Sequence, residues 1–325
     1  MLSSQQQIIS KVAEWLESGK SVWLCTILKT WGSSPRPIGS MLACTPDGEL
    51  VGSISGGCIE EDFLEQLRDG SLKQQYEEIG KPFRIKYGIT AEEQARLRLP
   101  CGGQLHVLLE LFDPDDRLIE VFKHIRTSLE NHEKISRVVN METGLVDFTN
   151  DSAELAIKID EPLLTHGLSP RYKLLLLGAG DVAKYVAEMA LALEYDVTLC
   201  DPRPKYLQNW HVDGVNTTSR LPDDVVREQF NNPYSGIIAL AHDPRVDDMA
   251  LMEGLKTSAF YIGAMGSDRT SAKRRERLPE LGLSEAEIDR LHGPIGFPIG
   301  SKTPAEIAIS ILAEVTAVRH KLALD

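Results

Sequence analysis

Three short segments combine small residues with side chains that can hold an anion or a soft atom. Gly52-Ser53-Ile54-Ser55-Gly56-Gly57-Cys58-Ile59-Glu60 puts a thiol at a predicted helix start, where the unpaired N–H groups and the dipole favour thiolate. Pro100-Cys101-Gly102-Gly103 repeats the combination of a thiol beside two glycines. Thiols in glycine loops suit a soft metal, a sulfur-bearing cofactor or a persulfide. The plain alternative is that the glycines build turns and the cysteines are incidental. In Trp31-Gly32-Ser33-Ser34-Pro35-Arg36-Pro37-Ile38-Gly39-Ser40, Arg36 sits between two prolines, a held guanidinium suited to a phosphate or pterin oxygen.

The second half carries a different loop. Leu174-Leu175-Leu176-Leu177-Gly178-Ala179-Gly180-Asp181-Val182-Ala183 has the G-x-G-x-x-A spacing between a predicted strand and a predicted helix. Gly178 permits the tight turn, Gly180 lets a pyrophosphate approach the backbone, and Ala183 keeps helix and strand close. The anion would sit on the helix N-terminus. Asp201 follows the next strand at roughly the 20-residue distance where an acid binds a ribose hydroxyl. Asp181 would repel phosphate unless it points away; its other reading is a carboxylate that complements the helix dipole.

Ligands of open α/β sheets bind outside the carboxyl ends of the strands. Those ends carry His242-Asp243 and Gly263-Ala264-Met265-Gly266-Ser267. His242 is read either as a proton carrier or ligand contact, or as a structural hydrogen bonder. Arg269 lies close enough to the second loop to meet a phosphate, although the Arg269–Arg277 basic run also reads as a solvated face. Gly293-Pro294-Ile295-Gly296-Phe297-Pro298-Ile299-Gly300 is a further small-residue loop able to press backbone against a ligand.

Positioning these residues requires two kinds of domain. Ile8, Val12, Trp15 and Leu16 at helical spacing predict a helix over residues 5–18, ended by Gly19. A strand over 21–30, a hairpin over 39–54 turning at Pro46-Asp47-Gly48, a helix from Gly57 to Gly70, and strands over 83–87 and 104–111 follow. A helix from Leu118 to Leu129 and some short strands complete this half. A boundary near Gly167-Leu168-Ser169-Pro170 precedes a strand, glycine loop, helix, strand rhythm that implies a parallel sheet covered on both faces. The expected architecture is α/β: an N-terminal α+β domain over 1–168 and a C-terminal Rossmann-like doubly wound parallel sheet over 169–325. Thr303-Pro304-Ala305-Glu306 caps the last helix.

Composition bounds the function. The 325 residues carry 35 basic and 48 acidic side chains, a net charge of −13, which argues against a nucleic-acid binder. At 42% hydrophobic and 26% charged the chain is globular, and it has no apolar run long enough to span a membrane. The five cysteines are odd in number and lack any C-x-x-C pair, which fits a reduced cytoplasmic protein and excludes a zinc ribbon. Cys25 and Cys44 lie in apolar strand-like stretches and read as small buried hydrophobes.

The segments Gly32–Arg36, Gly52–Glu60 and Cys101–Gly103, followed by Gly178-Ala179-Gly180, Cys200-Asp201-Pro202-Arg203, Tyr261–Ser267, Pro294-Ile295-Gly296 and Thr303–Ala308, resemble the XdhC/CoxI family over nearly the whole chain. That resemblance implies an accessory protein without turnover chemistry. Such a protein binds molybdenum cofactor (molybdopterin), protects it during sulfuration and inserts it into a hydroxylase of xanthine dehydrogenase or aldehyde oxidoreductase type. The length and the Trp31–Pro37 segment resemble the branch that handles molybdopterin cytosine dinucleotide.

Implied partners are a cysteine desulfurase, a molybdenum cofactor cytidylyltransferase, the large subunit of the molybdenum hydroxylase and a second copy of the chain. Implied cofactor contacts are Ser34, Arg36, Gly56, Gly57, Cys58, Cys101 and Gly102, then Gly178, Gly180, Asp181, Asp201, His242, Gly263 and Gly266. Cys58 and Cys101 would face the metal across an interdomain cleft, with a transient sulfur as a further role. Asp181 departs from the histidine expected after the second loop glycine. The competing readings are an NAD(P)-dependent oxidoreductase using the Rossmann fingerprint and His242, and a nucleotide-binding regulatory module.

Overall fold

The computed structural model describes residues 4–31, 36–90, 92–93, 104–150 and 156–321, and divides into two compact units that meet in sequence between Pro170 and Arg171. In the first unit, helix α1 (Ser4–Glu17) buries Ile8, Ile9, Val12, Trp15 and Leu16 along one stripe. It leads into β1 (Val22–Trp31), β2 (Met41–Cys44) and β3 (Leu50–Gly52), the last two forming the hairpin that turns at Gly48. Helices α2 (Cys58–Arg68) and α3 (Ser71–Ile79) precede β4 (Phe83–Tyr87) and β5 (Gln104–Phe112). These strands make an antiparallel sheet in the order β3-β2-β1-β5-β4.

The central strands are buried on both faces. Trp23, Cys25 and Ile27 share a core with Ile59 and Phe63 of α2, while Val22, Leu24 and Leu28 share one with α1 and with α4 (Asp116–Glu130). A second antiparallel sheet, in the order β7-β6-β9-β8, comprises β6 (Ile135–Asn140), β7 (Val146–Thr149), β8 (Ile157–Asp160) and β9 (Leu163–Leu168). The two sheets are joined by an ion pair with both side chains fully buried: Arg137 Nη1 donates to both Glu110 oxygens at 2.9 and 2.8 Å, and Nη2 to Thr26 Oγ1 at 3.1 Å. Cys25 and Cys44 are buried free thiols, and burial pushes Cys44 up to about 12.

The second unit is a parallel sheet in the order β12-β11-β10-β13-β14-β15. Its strands are β10 (Lys173–Leu177), β11 (Asp196–Cys200), β12 (Asn216–Thr218), β13 (Ser235–Ala239), β14 (Tyr261–Ala264) and β15 (Leu291–His292). Helices α5 (Asp181–Ala192), α6 (Pro222–Gln229), α7 (Pro244–Gly254), α8 (Asp268–Arg277) and α9 (Pro304–Arg319) connect or flank them. The order runs outward in both directions from β10 and β13, so the topological switch point lies between those two strands. Leu174 and Leu176 face α5 and α9, and Leu175 and Leu177 face the core that contains α6 and α7, the burial on both faces that the unbroken leucine run predicts.

Candidate functional site

Gly178 follows β10 directly. It adopts φ of 98°, and a Cβ there would lie 2.4 Å from Ala241 Cα, so only glycine lets the first loop close against the end of β13. Gly180 caps α5 without a side-chain hydrogen bond, and its own Cβ direction meets nothing within 4 Å. The first N–H groups of a twelve-residue helix are thereby presented beneath open space. Asp181 is the first residue of that helix, exposed and in its acidic first turn.

Asp201 is fully buried at the end of β11, and its carboxylate works locally. Oδ2 accepts from Ala179 N at 3.0 Å, and both oxygens accept from Arg203, at 2.8 and 2.9 Å. Burial works to raise its carboxyl, but Arg203 and the Ala179 N–H outweigh that and hold it below the usual range. A ribose hydroxyl would have to share these oxygens. Arg203 reaches on to Asp243 at 3.7 Å and stacks over Tyr206 at 4.0 Å, so it bridges the ends of β11 and β13. Trp210 Nε1 donates to Gly180 O at 3.3 Å and fixes the loop from its other side. His242 is exposed, with φ of 54°, a conformation uncommon outside glycine.

Close to His242 lies a cluster that no sequence motif singles out. Asp247 accepts from Ala241 N at 3.1 Å and pairs with Arg274, which also pairs with Asp248. Burial pushes Asp247 up to about 6. Gly263 lies within β14, where a Cβ would strike Ile295 at 2.7 Å and the Tyr261 ring at 2.9 Å; it admits these neighbours. Gly266 sits just before the Ser267 cap of α8.

The thiol loops of the first unit tell a different story. Glu60, at the third position of α2, folds its carboxylate back into the Ser53–Gly57 loop. Oε1 accepts from Ser53 Oγ at 2.7 Å, from Ile54 N and Ser55 N at 2.9 Å and from Gly56 N at 3.2 Å. Oε2 accepts from Gly57 N at 2.9 Å and from Ser55 Oγ. Burial opposes its charge, yet the serine hydroxyls and loop N–H groups outweigh it and bring the carboxyl down to about 2. The backbone donors of Gly56 and Gly57 are thus taken up by the chain's own carboxylate.

Cys58 begins the helix, and its side chain lies outside the described atoms, as do residues Ser34, Cys101 and Gly102 altogether. Trp31 pairs with Gln104, so β1 stops and β5 starts at one end of the sheet. Arg36 is exposed where the chain returns, and Gly39 N donates to Ile27 O at 2.9 Å.

That end of the sheet is cationic. Lys29, His106 and Lys86 occupy one row across β1, β5 and β4. His106 packs edge-on to Trp31 at 4.4 Å, and Lys29 lies 4.7 Å over the Trp31 ring. Burial, then Lys86, Lys29 and Arg84, lower the His106 pKa. The pairing of Lys29 with His106 joins distant strands across a register shift between Ile27 and Lys29, so no local pattern signals it. Among the described residues, no group of three or more His, Cys, Asp or Glu side chains is arranged to hold a metal ion.

Comparison with known proteins covers both units. A model described as the XdhC Rossmann domain matches residues 174–315, and one described as the XdhC and CoxI family matches residues 15–78. The chain is similar to the molybdenum cofactor insertion chaperone PaoD of Escherichia coli strain K12, at 24% identity over 98% of this chain and 90% of that protein. It is also similar to a probable xanthine dehydrogenase subunit from Bacillus subtilis strain 168, at 24% identity over 95% of this chain and 96% of that protein. A solved structure, described as a xanthine dehydrogenase from Bacillus halodurans, superposes with a TM-score of 0.73 at 25% identity and covers 96% of each chain.

Proposed function

Since the chain belongs to the XdhC and CoxI family, with a Rossmann domain of XdhC type, we propose that it is a non-catalytic carrier of molybdenum cofactor. It receives the cofactor, protects it while the terminal sulfur is installed, and inserts it into a hydroxylase of xanthine dehydrogenase or aldehyde oxidoreductase type. The name of the PaoD relative supports the cargo and the absence of turnover chemistry. The observation that carries the reading is the uncapped start of α5 beneath Gly180, held by Asp201 and Trp210.

A helix start without its own side-chain cap suits a pyrophosphate, and the cytosine dinucleotide form of the cofactor contains one. Around the loop, Arg203 pairs with both Asp201 and Asp243 and so fixes the ends of β11 and β13 beside the start of α5. In the second unit the proposed cofactor contacts are Gly178, Gly180, Asp181, Asp201, His242, Gly263 and Gly266. In the first they are Ser34, Arg36, Gly56, Gly57, Cys58, Cys101 and Gly102, with Cys58 and Cys101 as the soft ligands. Lys29 and Lys86 add positive charge at the end of the sheet where β1 stops and β5 starts. The proposed partners are a cysteine desulfurase, a cytidylyltransferase, the large subunit of the hydroxylase and a second copy of the chain.

The test is activation of a cofactor-free molybdenum hydroxylase by cofactor preloaded on this protein, against free cofactor. Faster or more complete activation by the carrier, reduced in Cys58→Ala or Cys101→Ala, is the expected result. Full activity in both cysteine variants would remove the thiols from the account. No gain over free cofactor would remove the carrier role.

A further inference from the structure

Asp247 stands buried in the first turn of α7 and reaches back to the end of β13. Its Oδ1 accepts from Ala241 N at 3.1 Å. Ala241 is the residue on which the glycine loop closes: a Cβ on Gly178 would stand 2.4 Å from its Cα and 2.7 Å from its N. One residue earlier, Leu240 N donates to Leu177 O at 2.9 Å, so Asp247 takes up the next N–H after the chain leaves β10. His242 follows with its φ of 54°, which a non-glycine residue keeps only where its surroundings fix it. On its far side Asp243 caps α7 by accepting from Arg245 N at 3.0 Å. Carboxylates thus anchor the chain on both sides of His242.

Asp247 is fixed in turn from α8. Its Oδ2 meets Nη2 of the buried Arg274 at 3.5 Å. The same guanidinium donates from Nη1 to Met265 O at 3.4 Å, just past the end of β14, and from Nε to Asp248 Oδ1 at 3.4 Å. Arg277 takes the other oxygen of Asp248, with Nη2 donating at 2.7 Å. The links from Gly178 through Ala241, Asp247 and Arg274 to Met265 are packing contacts or hydrogen bonds within one unit.

We propose that Asp247, steered by Arg274, is the positioning residue of the Rossmann-type site: its carboxylate holds the Ala241–His242 turn as the wall against which the Gly178 loop closes, and its charge sets how firmly. The role rests on the carrier reading only for the identity of what the loop then holds. That charge is open to change. Burial, with Asp248 and Asp243, works against ionisation, while the Ala241 N–H and Arg274 favour it, and the carboxyl is pushed up to about 6. Arg277 and Arg203 face Asp248 and Asp243 instead. As pH falls through about 6 the carboxyl takes up a proton, gives up the charge that Arg274 and the Ala241 N–H bind, and loosens the turn.

The experiment follows the amide resonances of residues 178–180 and 241–242 in the full chain between about pH 7 and about pH 5. It compares the unmodified protein with Asp247→Asn, Asp247→Ala and Asp248→Asn. Asp247→Asn keeps an oxygen for Ala241 N but drops the charge; Asp248→Asn drops a charge from the same cluster without touching the turn. A common pH step across the turn and the loop is expected in the unmodified protein, absent in Asp247→Asn and retained in Asp248→Asn. In parallel each protein is titrated with dicytidine 5′-pyrophosphate, whose phosphate diesters stay ionised. Binding should weaken about tenfold in Asp247→Ala and about threefold in Asp247→Asn at about pH 7. At about pH 5 the unmodified protein should match Asp247→Asn. His242 is common to every protein compared and cancels. If Asp247→Ala fails to fold, the step in the unmodified protein and its loss in Asp247→Asn carry the test. Loop resonances that ignore Asp247, or that move as much in Asp248→Asn, overturn the proposal, as does probe binding unaltered by Asp247→Ala. Loop resonances that follow Asp247 without any probe binding leave the positioning role standing and the pyrophosphate reading fallen. Pterin retained equally by Asp247→Ala and the unmodified protein leaves the carrier reading standing without this role.

Discussion

A carboxylate that collects six hydrogen bonds from a single loop is hard to replace, and Glu60 does so in the Ser53–Gly57 turn. Replacing it with glutamine turns one acceptor oxygen into a donor facing other donors. Glu60→Gln is expected to cost about 2–3 kcal/mol at pH 7, measured by urea unfolding. Because folding lowers this carboxyl from 4.5 to about 2, its contribution is complete above pH 4.5 and is lost as pH falls through that window, so the variant should flatten the acid limb.

His166 acts on the same limb from another cause. It is fully buried opposite Arg137 in the β6–β9 pair and beside Gly39, and neither ring nitrogen has a well-directed hydrogen bond. Burial, then Arg137, lower its pKa from 6.5 to about 3. The unfolded chain binds a proton below pH 6.5 that the folded chain refuses. Stability should therefore fall by about 1.4 kcal/mol per pH unit on acidification below 6.5. His166→Leu should abolish that slope; an unchanged slope would assign the acid sensitivity to other groups.

At the scale of elements, the two loop glycines after β10 are predicted to separate folding from binding. Gly178→Ala demands a left-handed φ and collides with the Ala241 backbone, so it should destabilise the second unit by about 3 kcal/mol or more. Gly180→Ala meets nothing and has φ of −106°, so its melting temperature should stay within about 2 °C while pyrophosphate-bearing ligand binds about tenfold more weakly. Equal ligand affinity in Gly180→Ala and the unmodified chain would show that the pyrophosphate does not lie there.

This loop was legible because strand, turn and helix are contiguous in sequence and each glycine answers a local demand. The role of Glu60 was hidden because its donors are mostly main-chain groups, although an acid at the third helical position after Gly57 is the signal to look for. The four-stranded sheet around Arg137, and the meeting of Tyr261, His292 and Glu314, depend on contacts between residues far apart in the chain. Local pattern carries no record of those.

For the whole molecule, the family matches in both units and the aligned lengths of the relatives point to one task that uses the entire chain. A net charge of −13 disfavours binding to phosphodiester chains, while the second unit presents the N–H groups of a helix start that has no side-chain cap. Among the described residues no helix is long and apolar enough to cross a membrane.

The most direct test mixes the purified protein anaerobically with molybdenum cofactor in mono- and dinucleotide forms and quantifies pterin and molybdenum retained through gel filtration, with NADH as the control. The account predicts near-stoichiometric retention, stronger for the dinucleotide and reduced in Gly180→Ala. Loss of all pterin on the column, alongside micromolar binding of NADH, would contradict it and make the Rossmann unit a nicotinamide site.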